Sequence, residues 1–297
     1  MFNIIGRRKI FLSVSMILVL ISVVLIGVFG FKQGIDFTGG SLWQISFEKS
    51  YPIEKVAEVL KAGGLEEATI NYSSDGSYLI RFKDIGENEH RNVKDFVETN
   101  LEGFKELSFQ SIGPSIGKEL KNKAIMAVIL VLLGISLYVA FAFRKVSYPV
   151  ASWKYGTVAL VTLFHDVIIP AGVLAWMGEF YGVEFDTNFI VALLVIAGFS
   201  IHDTIVVFDR TRENLSKGKG KEDFSETVNK SVNETLARSI NTSVTLLFVL
   251  LTLYFAGPIT LKFFVLTILI GTIAGTYSSI FVASPLLVVW HKLGNRG

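Results

Sequence analysis

Six apolar runs decide what this 297-residue chain can fold into. They lie near Ile10–Phe31, Ala124–Phe143, Val150–Met177, Asn188–Phe208, Ser239–Ala256 and Leu261–Trp290. Each is long enough to cross about 30 Å of hydrocarbon as a helix of about 20 residues. Lipid offers no partner to a free N–H or C=O, so an apolar segment that crosses it must close its own hydrogen bonds as a helix. Composition agrees, with 51% hydrophobic and 18% charged residues where a soluble domain carries about 25% charged. The expected architecture is an α-helical integral membrane protein with six transmembrane helices. The first run follows Arg7, Arg8 and Lys9, which resembles the start of a signal peptide. It is longer than a signal-peptide core, and no small-residue cleavage site follows, so it is expected to stay as a span.

Basic residues set the orientation, because short cytoplasmic flanks collect Lys and Arg. Arg7, Arg8 and Lys9 precede the first span, and Arg144 and Lys145 follow the second. Arg210, Arg212, Lys217, Lys219, Lys221, Lys230 and Arg238 follow the fourth. The segment Gly178–Asp186 has acids and no base. Both termini are therefore expected in the cytoplasm of a multi-pass cytoplasmic-membrane protein, and the long segment after the first span outside. The expected divisions are 1–31 for the N-terminus and first span and 32–123 for the exterior domain. Residues 124–290 then form a bundle of spans two to six with a cytoplasmic loop at 209–238, and 291–297 are the cytoplasmic C-terminus.

Residues 32–123 read as a small soluble domain. Trp43, Ile45 and Phe47 alternate on one strand face, the period of a half-buried strand. Pro52 opens a helix with Ile53, Val56, Val59 and Leu60, closed at Gly63-Gly64. Two further strands flank Asp75-Gly76, a hairpin signal. A helix with Val93, Phe96 and Val97 and a last strand complete the order βαββαβ, that of a ferredoxin-like α+β sandwich. Its charges are mixed and show no catalytic constellation, so no enzyme is expected. The chain has no cysteine, which removes disulfides, thiolate metal sites and cysteine nucleophiles.

Function is carried by the few polar residues inside the spans, where an ionisable group marks a pathway or a partner. Asp203 lies about 22 Å into the fourth span at 1.5 Å per residue, in the cytoplasmic half. Arg238, at the start of the fifth span, can reach a similar depth. Arg238, Asn241, Thr242 and Thr245 recur at i, i+3, i+4 and i+7, so they form one stripe, expected to face the bundle. A static Asp–Arg pair is the bland alternative, but an apolar replacement would serve stability as well. Burial and a nearby cation act in opposite senses on a carboxyl group, so small movements can switch its state. That property suits a proton path. His165 and Asp166, with Pro170 one turn on, form either a second polar element of that path or a satisfied buried pair. His202 points about 100° away from Asp203 around the helix, toward another helix or water. Adjacent His-Asp pairs lack the spacing of helical metal ligands, so no metal or other cofactor is expected. Thr267, Gly271, Gly275 and Ser279 make a ridge of small residues for close helix packing.

Several stretches in order resemble the SecD/SecF family of the Sec protein-export machinery, within the resistance-nodulation-division (RND) superfamily, and more closely its SecF side. They are Gly34–Gly40 after the first span, Gly113–Leu120 before the second, and His165-Asp166-Val167 in the third. Asp203–Asn214 ends the fourth, and Ala237–Ser243 opens the fifth. The resemblance covers the whole chain and implies an RND-like half with one exterior domain. It implies proton conduction at Asp203 with Arg238 and Thr242, leaving His202, His165, Asp166, Asn241 and Thr245 as accessory polar positions. One departure is His202, where the family more often has a small polar residue. The implied function is use of the proton motive force, with SecD, to assist polypeptide translocation through the Sec channel. The implied partners are SecD, the SecYEG translocon, YidC, unfolded polypeptide and membrane lipid, and no nucleic acid. Gly34, Gly39 and Gly40 stand near the junction with the first span and are candidate hinge positions. The alternatives are an RND-type proton-coupled exporter of lipids or small molecules, and a scaffold with no transport chemistry.

Overall fold

The computed structural model describes residues 1–72, 76–144, 150–217 and 223–294. Asp75 of the expected hairpin turn, and Lys145, Lys219 and Lys221 of the basic flanks, lie outside them. The chain divides into a sheet unit, Gln33–Ile125, and a helical unit, Met1–Lys32 with Met126–Gly297.

The sheet unit begins with α1 of the helical unit (Arg8–Phe29) already complete and opens on a short helix, α2 (Ile35–Thr38). There follow β1 (Gly40–Phe47), α3 (Ile53–Ala62), β2 (Thr69–Tyr72), β3 (Tyr78–Phe82), α4 (Glu87–Asn100) and β4 (Phe104–Ile112). The strands pair antiparallel in the order β2-β3-β1-β4, the arrangement of a split βαβ sandwich. Alternation along β1 puts Trp43 and Ile45 at 0% exposure against Val56 and Leu60 of α3 and Val93 and Val97 of α4. Trp43 Nε1 donates to Glu106 Oε2 at 3.0 Å, so its one polar atom is satisfied inside the core. Helix α3 ends because Gly64 takes φ +102°, open to glycine and strained for other residues.

In the helical unit the six apolar runs are six helices long enough to cross a membrane among the described residues. They are α1, α5 (Pro114–Ala142), α6 (Ser152–Tyr181), α7 (Thr187–Lys217), α8 (Phe224–Ala256), and a sixth formed by α9 (Lys262–Ser278) and α10 (Ser284–Gly294). A π-helical turn, Ser279–Ala283, joins α9 to α10. Pro285 explains it, since its ring has no N–H and clashes with the carbonyl four residues back, which widens the helix there. The windows of α6, α7 and α9 bury more than half of their residues, those of α1, α5 and α8 less than a fifth. The first three are thus the interior of the unit, and the others present broad faces outward.

The region 209–238 differs from the expected loop. Helix α7 continues to Lys217 and α8 begins at Phe224, so most of it is two helical extensions. Phe224, Val228 and Val232 bury one apolar stripe of α8 in the core of the unit, and polar pairing satisfies the rest. Arg210 bonds Glu213 at 2.5 Å and Glu234 at 2.6 Å, and Asn214 donates to Ser231 at 2.9 Å. Asp223 caps α8 by accepting from the Ser225 N–H at 3.1 Å. Asn229 and Asn233 clasp the start of the chain: Phe2 N–H donates to Asn233 Oδ1 at 2.7 Å and Ile4 N–H to Asn229 Oδ1 at 2.9 Å.

The small-residue ridge of α9 faces α7. A Cβ on Gly271 would lie 2.3 Å from Ile196 Cδ1, and one on Gly275 2.9 Å from Ser200 Cβ. Gly271→Leu is therefore expected to force α7 and α9 apart, at the roughly 1–3 kcal/mol typical of overpacking. A lower thermal midpoint of the detergent-solubilised protein checks it; an unchanged midpoint would mean this contact yields freely.

Candidate functional site

Two buried carboxylates organise the interior of the helical unit. Asp203 on α7 is 3% exposed, and Asp166 on α6 is 0% exposed. Each meets hydroxyl groups from neighbouring helices, which is how a buried acid avoids the cost of unsatisfied burial.

At Asp203 the partner is Ser243 of α8, whose Oγ donates to Asp203 Oδ2 at 3.5 Å. Thr276 of α9 donates to that same Ser243 Oγ at 2.6 Å. Ser239, one turn before Ser243, is buried on the same face of α8, and its hydroxyl has no partner among the described residues. The face of α8 that meets Asp203 is therefore lined by serines, small enough to let three helices converge.

The stripe Arg238, Asn241, Thr242 and Thr245 does not face the bundle, contrary to the expectation from its spacing. All four residues are exposed on the outer side of α8. The inner side of α8 instead carries Ser239 and Ser243, which are buried. Thr242 and Thr245 close their hydroxyls on the carbonyls of Arg238 and Asn241, at 3.0 and 2.7 Å. His202 is likewise exposed on α7. Arg238 and His202 nevertheless lie within electrostatic reach of Asp203. No hydrogen bond or ion pair joins Asp203 to either of them among the described residues.

Asp166 is the more fully tied of the two acids. His165 Nδ1 lies 2.8 Å from Asp166 Oδ1. Oδ2 accepts from Ser200 of α7 and, at 2.7 Å, from Ser278 of α9. Asp166 thus links α6, α7 and α9. His165 packs against Tyr277, and its Nε2 is buried with no hydrogen-bond partner among the described residues. No group of three or more His, Cys, Asp or Glu side chains able to hold a metal is assembled among the described residues.

The candidate hinge glycines sit in close packing inside the sheet unit. Gly39 has φ +75° and Gly40 φ +122°, and a Cβ on Gly39 would lie 2.7 Å from Pro114 Cα. Gly34 precedes α2 in extended conformation, with φ −73° and ψ 170°. Gly39 and Gly40 therefore have a local steric reason to be glycine that stands apart from any motion.

The hydroxyls that meet the carboxylates, Ser200, Ser243 and Ser278, and Thr276 behind Ser243, were not among the candidates read from sequence. A signal was present for one of them: Ser239 and Ser243 at i and i+4 define a second polar stripe on α8.

Comparison with known proteins gives a consistent result. Residues 92–293 match the family model "Protein export membrane protein SecD/SecF, C-terminal", and residues 24–50 match the SecD/SecF GG motif. Protein translocase subunit SecF of Thermobaculum terrenum is 43% identical, over 98% of this chain and 95% of its own length. That of Anaerolinea thermophila is 35% identical, also over 98% and 95%. The crystal structure of SecDF from Thermus thermophilus, a translocon-associated membrane protein, superposes with a TM-score of 0.83 at 34% identity. It is matched by 98% of this chain over 39% of its own length. The chain therefore belongs to the SecD/SecF family of protein-export membrane proteins, as a protein translocase subunit of the SecF type.

Proposed function

We propose that this chain works with SecD as a proton-motive-force-dependent aid to polypeptide movement through the Sec channel, SecYEG, with YidC nearby. The observation that carries the reading is the pair of opposite environments around Asp203. Its carboxylate is buried against the Ser243 hydroxyl, while Arg238 and His202 stand on outward faces of α8 and of α7 itself. Charged and polar groups facing lipid are costly at span depth. A second membrane chain laid over α7 and α8 removes that cost and encloses Asp203 in a polar seam. The SecDF likeness supplies the partner, because there a single chain contains more than twice the length matched here.

In this reading protonation of Asp203 weakens its attraction to Arg238, and α7 and α8 repack. One charge moving through the membrane field is worth about 2.3 kcal/mol per 100 mV, enough to bias two arrangements of a helix bundle. The sheet domain, exposed outside the cytoplasm, then holds emerging unfolded polypeptide and hinders its return. A sheet edge touches an extended chain through its backbone and needs no sequence match.

Two experiments test this. Affinity purification of the chain from its membrane is expected to retain SecD, and loss of SecD in mild detergent counts against the shared seam. The absence of native cysteine makes single-cysteine labelling clean. Asn92→Cys in the sheet unit should react with an impermeant maleimide added outside intact cells, and Ser216→Cys should react only after lysis. The reverse pattern overturns the orientation.

A further inference from the structure

The Asp203 reading makes no use of Asp166, although Asp166 is the more deeply buried acid and has the larger set of partners. Helix α9 lies between the two. Thr276 reaches Ser243, which touches Asp203, and two residues later Ser278 reaches Asp166. Helix α7 makes the same connection from its own side, since Ser200 bonds Asp166 and Asp203 follows it by three residues. Asp166 and Asp203 are thus joined by a run of hydroxyl contacts through α9, with Thr276 on α9 bonding Ser243 on α8.

Three features mark this arrangement as tightly coupled and locally irregular. The regular helix of α9 ends at Ser278, and the π-turn begins at the next residue; such turns recur at functional sites, where the helix is locally irregular. Gly271 and Gly275 let Ile196 and Ser200 of α7 sit directly against the backbone of α9, so a displacement of one helix is passed to the other. The buried Nε2 of His165 has no hydrogen-bond partner among the described residues, so the polar network around Asp166 has an unsatisfied atom among them.

We propose that Asp166 is a positioning residue for Asp203: through Ser278 and Ser200 it fixes the register of α9 and α7 at which Thr276 holds Ser243 against the Asp203 carboxylate. The proposal rests on the proton-coupled reading of Asp203, and its test separates the two. Mere glue would tolerate loss of the hydroxyls with no effect beyond stability. A positioning role makes proton-driven activity depend on them.

The test uses the chain with SecD, reconstituted with the translocon, and measures export with and without an imposed proton motive force. Folding is followed in parallel by SecD retention and thermal midpoint. Asp166→Asn and Ser278→Ala are expected to lower the force-dependent part of export at least about fivefold, the factor set by one hydrogen bond of about 1 kcal/mol. Force-independent export should be unchanged. Ser278→Thr keeps the hydroxyl and is expected to restore most of the loss. Where a single variant fails to assemble, Ser200→Ala with Ser278→Ala serves instead, because it leaves the His165–Asp166 pair in place. If Asp203→Asn is inactive while the folded Asp166 and Ser278 variants respond normally to the force, the positioning role is wrong and the Asp203 reading stands. If Asp203→Asn itself responds normally, the proton reading fails and the positioning role with it. Loss in Ser278→Thr equal to that in Ser278→Ala would also overturn the proposal, since the hydroxyl would then not be what matters.

Discussion

Asp203→Asn is expected to remove the proton-motive-force stimulation of export altogether, while the protein still assembles with SecD. The substitution keeps the shape of the side chain and an oxygen able to accept from Ser243, whose Oγ lies 3.5 Å away. Packing of α7 against α8 and α9 should therefore survive. What disappears is the charge on which the membrane field acts, worth about 2.3 kcal/mol per 100 mV, or roughly 50-fold in an equilibrium between two arrangements. Arg238→Ala should fail in the same assay. Arg238→Lys should recover part of the activity, because a compact ammonium replaces the charge without the planar fork of the guanidinium. Export by Asp203→Asn at the unsubstituted level would favour a static polar contact instead.

Trp43→Ala is expected to have the largest effect on folding, confined to the sheet unit. Trp43 is fully buried, packs edge-on to His90 and against Phe104, and hydrogen-bonds Glu106. Truncating a buried tryptophan costs about 3–5 kcal/mol. A domain of this size holds only about 5–15 kcal/mol in total, and each kcal/mol moves its midpoint by about 4–8 °C. Glu106 would keep Lys94 at 3.3 Å, so the loss comes chiefly from the cavity. Hydrogen exchange on the full chain is the check. Amides of β1 and β3 should lose protection by orders of magnitude, while those of α6 and α7 keep theirs. Unchanged protection in β1 would mean that the unit does not depend on this core.

The sequence was most readable where a single physical rule decides. Lipid requires long apolar helices, and all six runs became helices. The period-2 pattern of Trp43 and Ile45 identified a buried strand face, and the order of elements identified the sheet topology. Readability fell where two rules compete. The run 209–238 is polar enough to read as a loop, yet Phe224, Val228 and Val232 give α8 a buried apolar stripe there, and ion pairs with a cap satisfy the rest. On α8 the spacing of Arg238, Asn241, Thr242 and Thr245 correctly placed them on one face. It could not say which way the face points, because Ser239 and Ser243 define another polar face on the same helix. The buried face is the one with Ser239 and Ser243, where α8 meets α7 and α9. The role of Asp166 as a junction of three helices was hidden for a related reason. Its partners, Ser200 and Ser278, are distant in sequence and individually unremarkable, and only the approach of α7 to α9 over Gly271 and Gly275 brings them together.

Proton entry itself is the most direct test of the account. Proteoliposomes containing the chain with SecD, the translocon and a translocating polypeptide would enclose a pH-sensitive dye under an imposed pH gradient. The account predicts proton uptake above that of empty vesicles for the unsubstituted complex, and uptake at the empty-vesicle level for Asp203→Asn. Equal uptake by the two complexes would contradict it, because protons would then cross without Asp203.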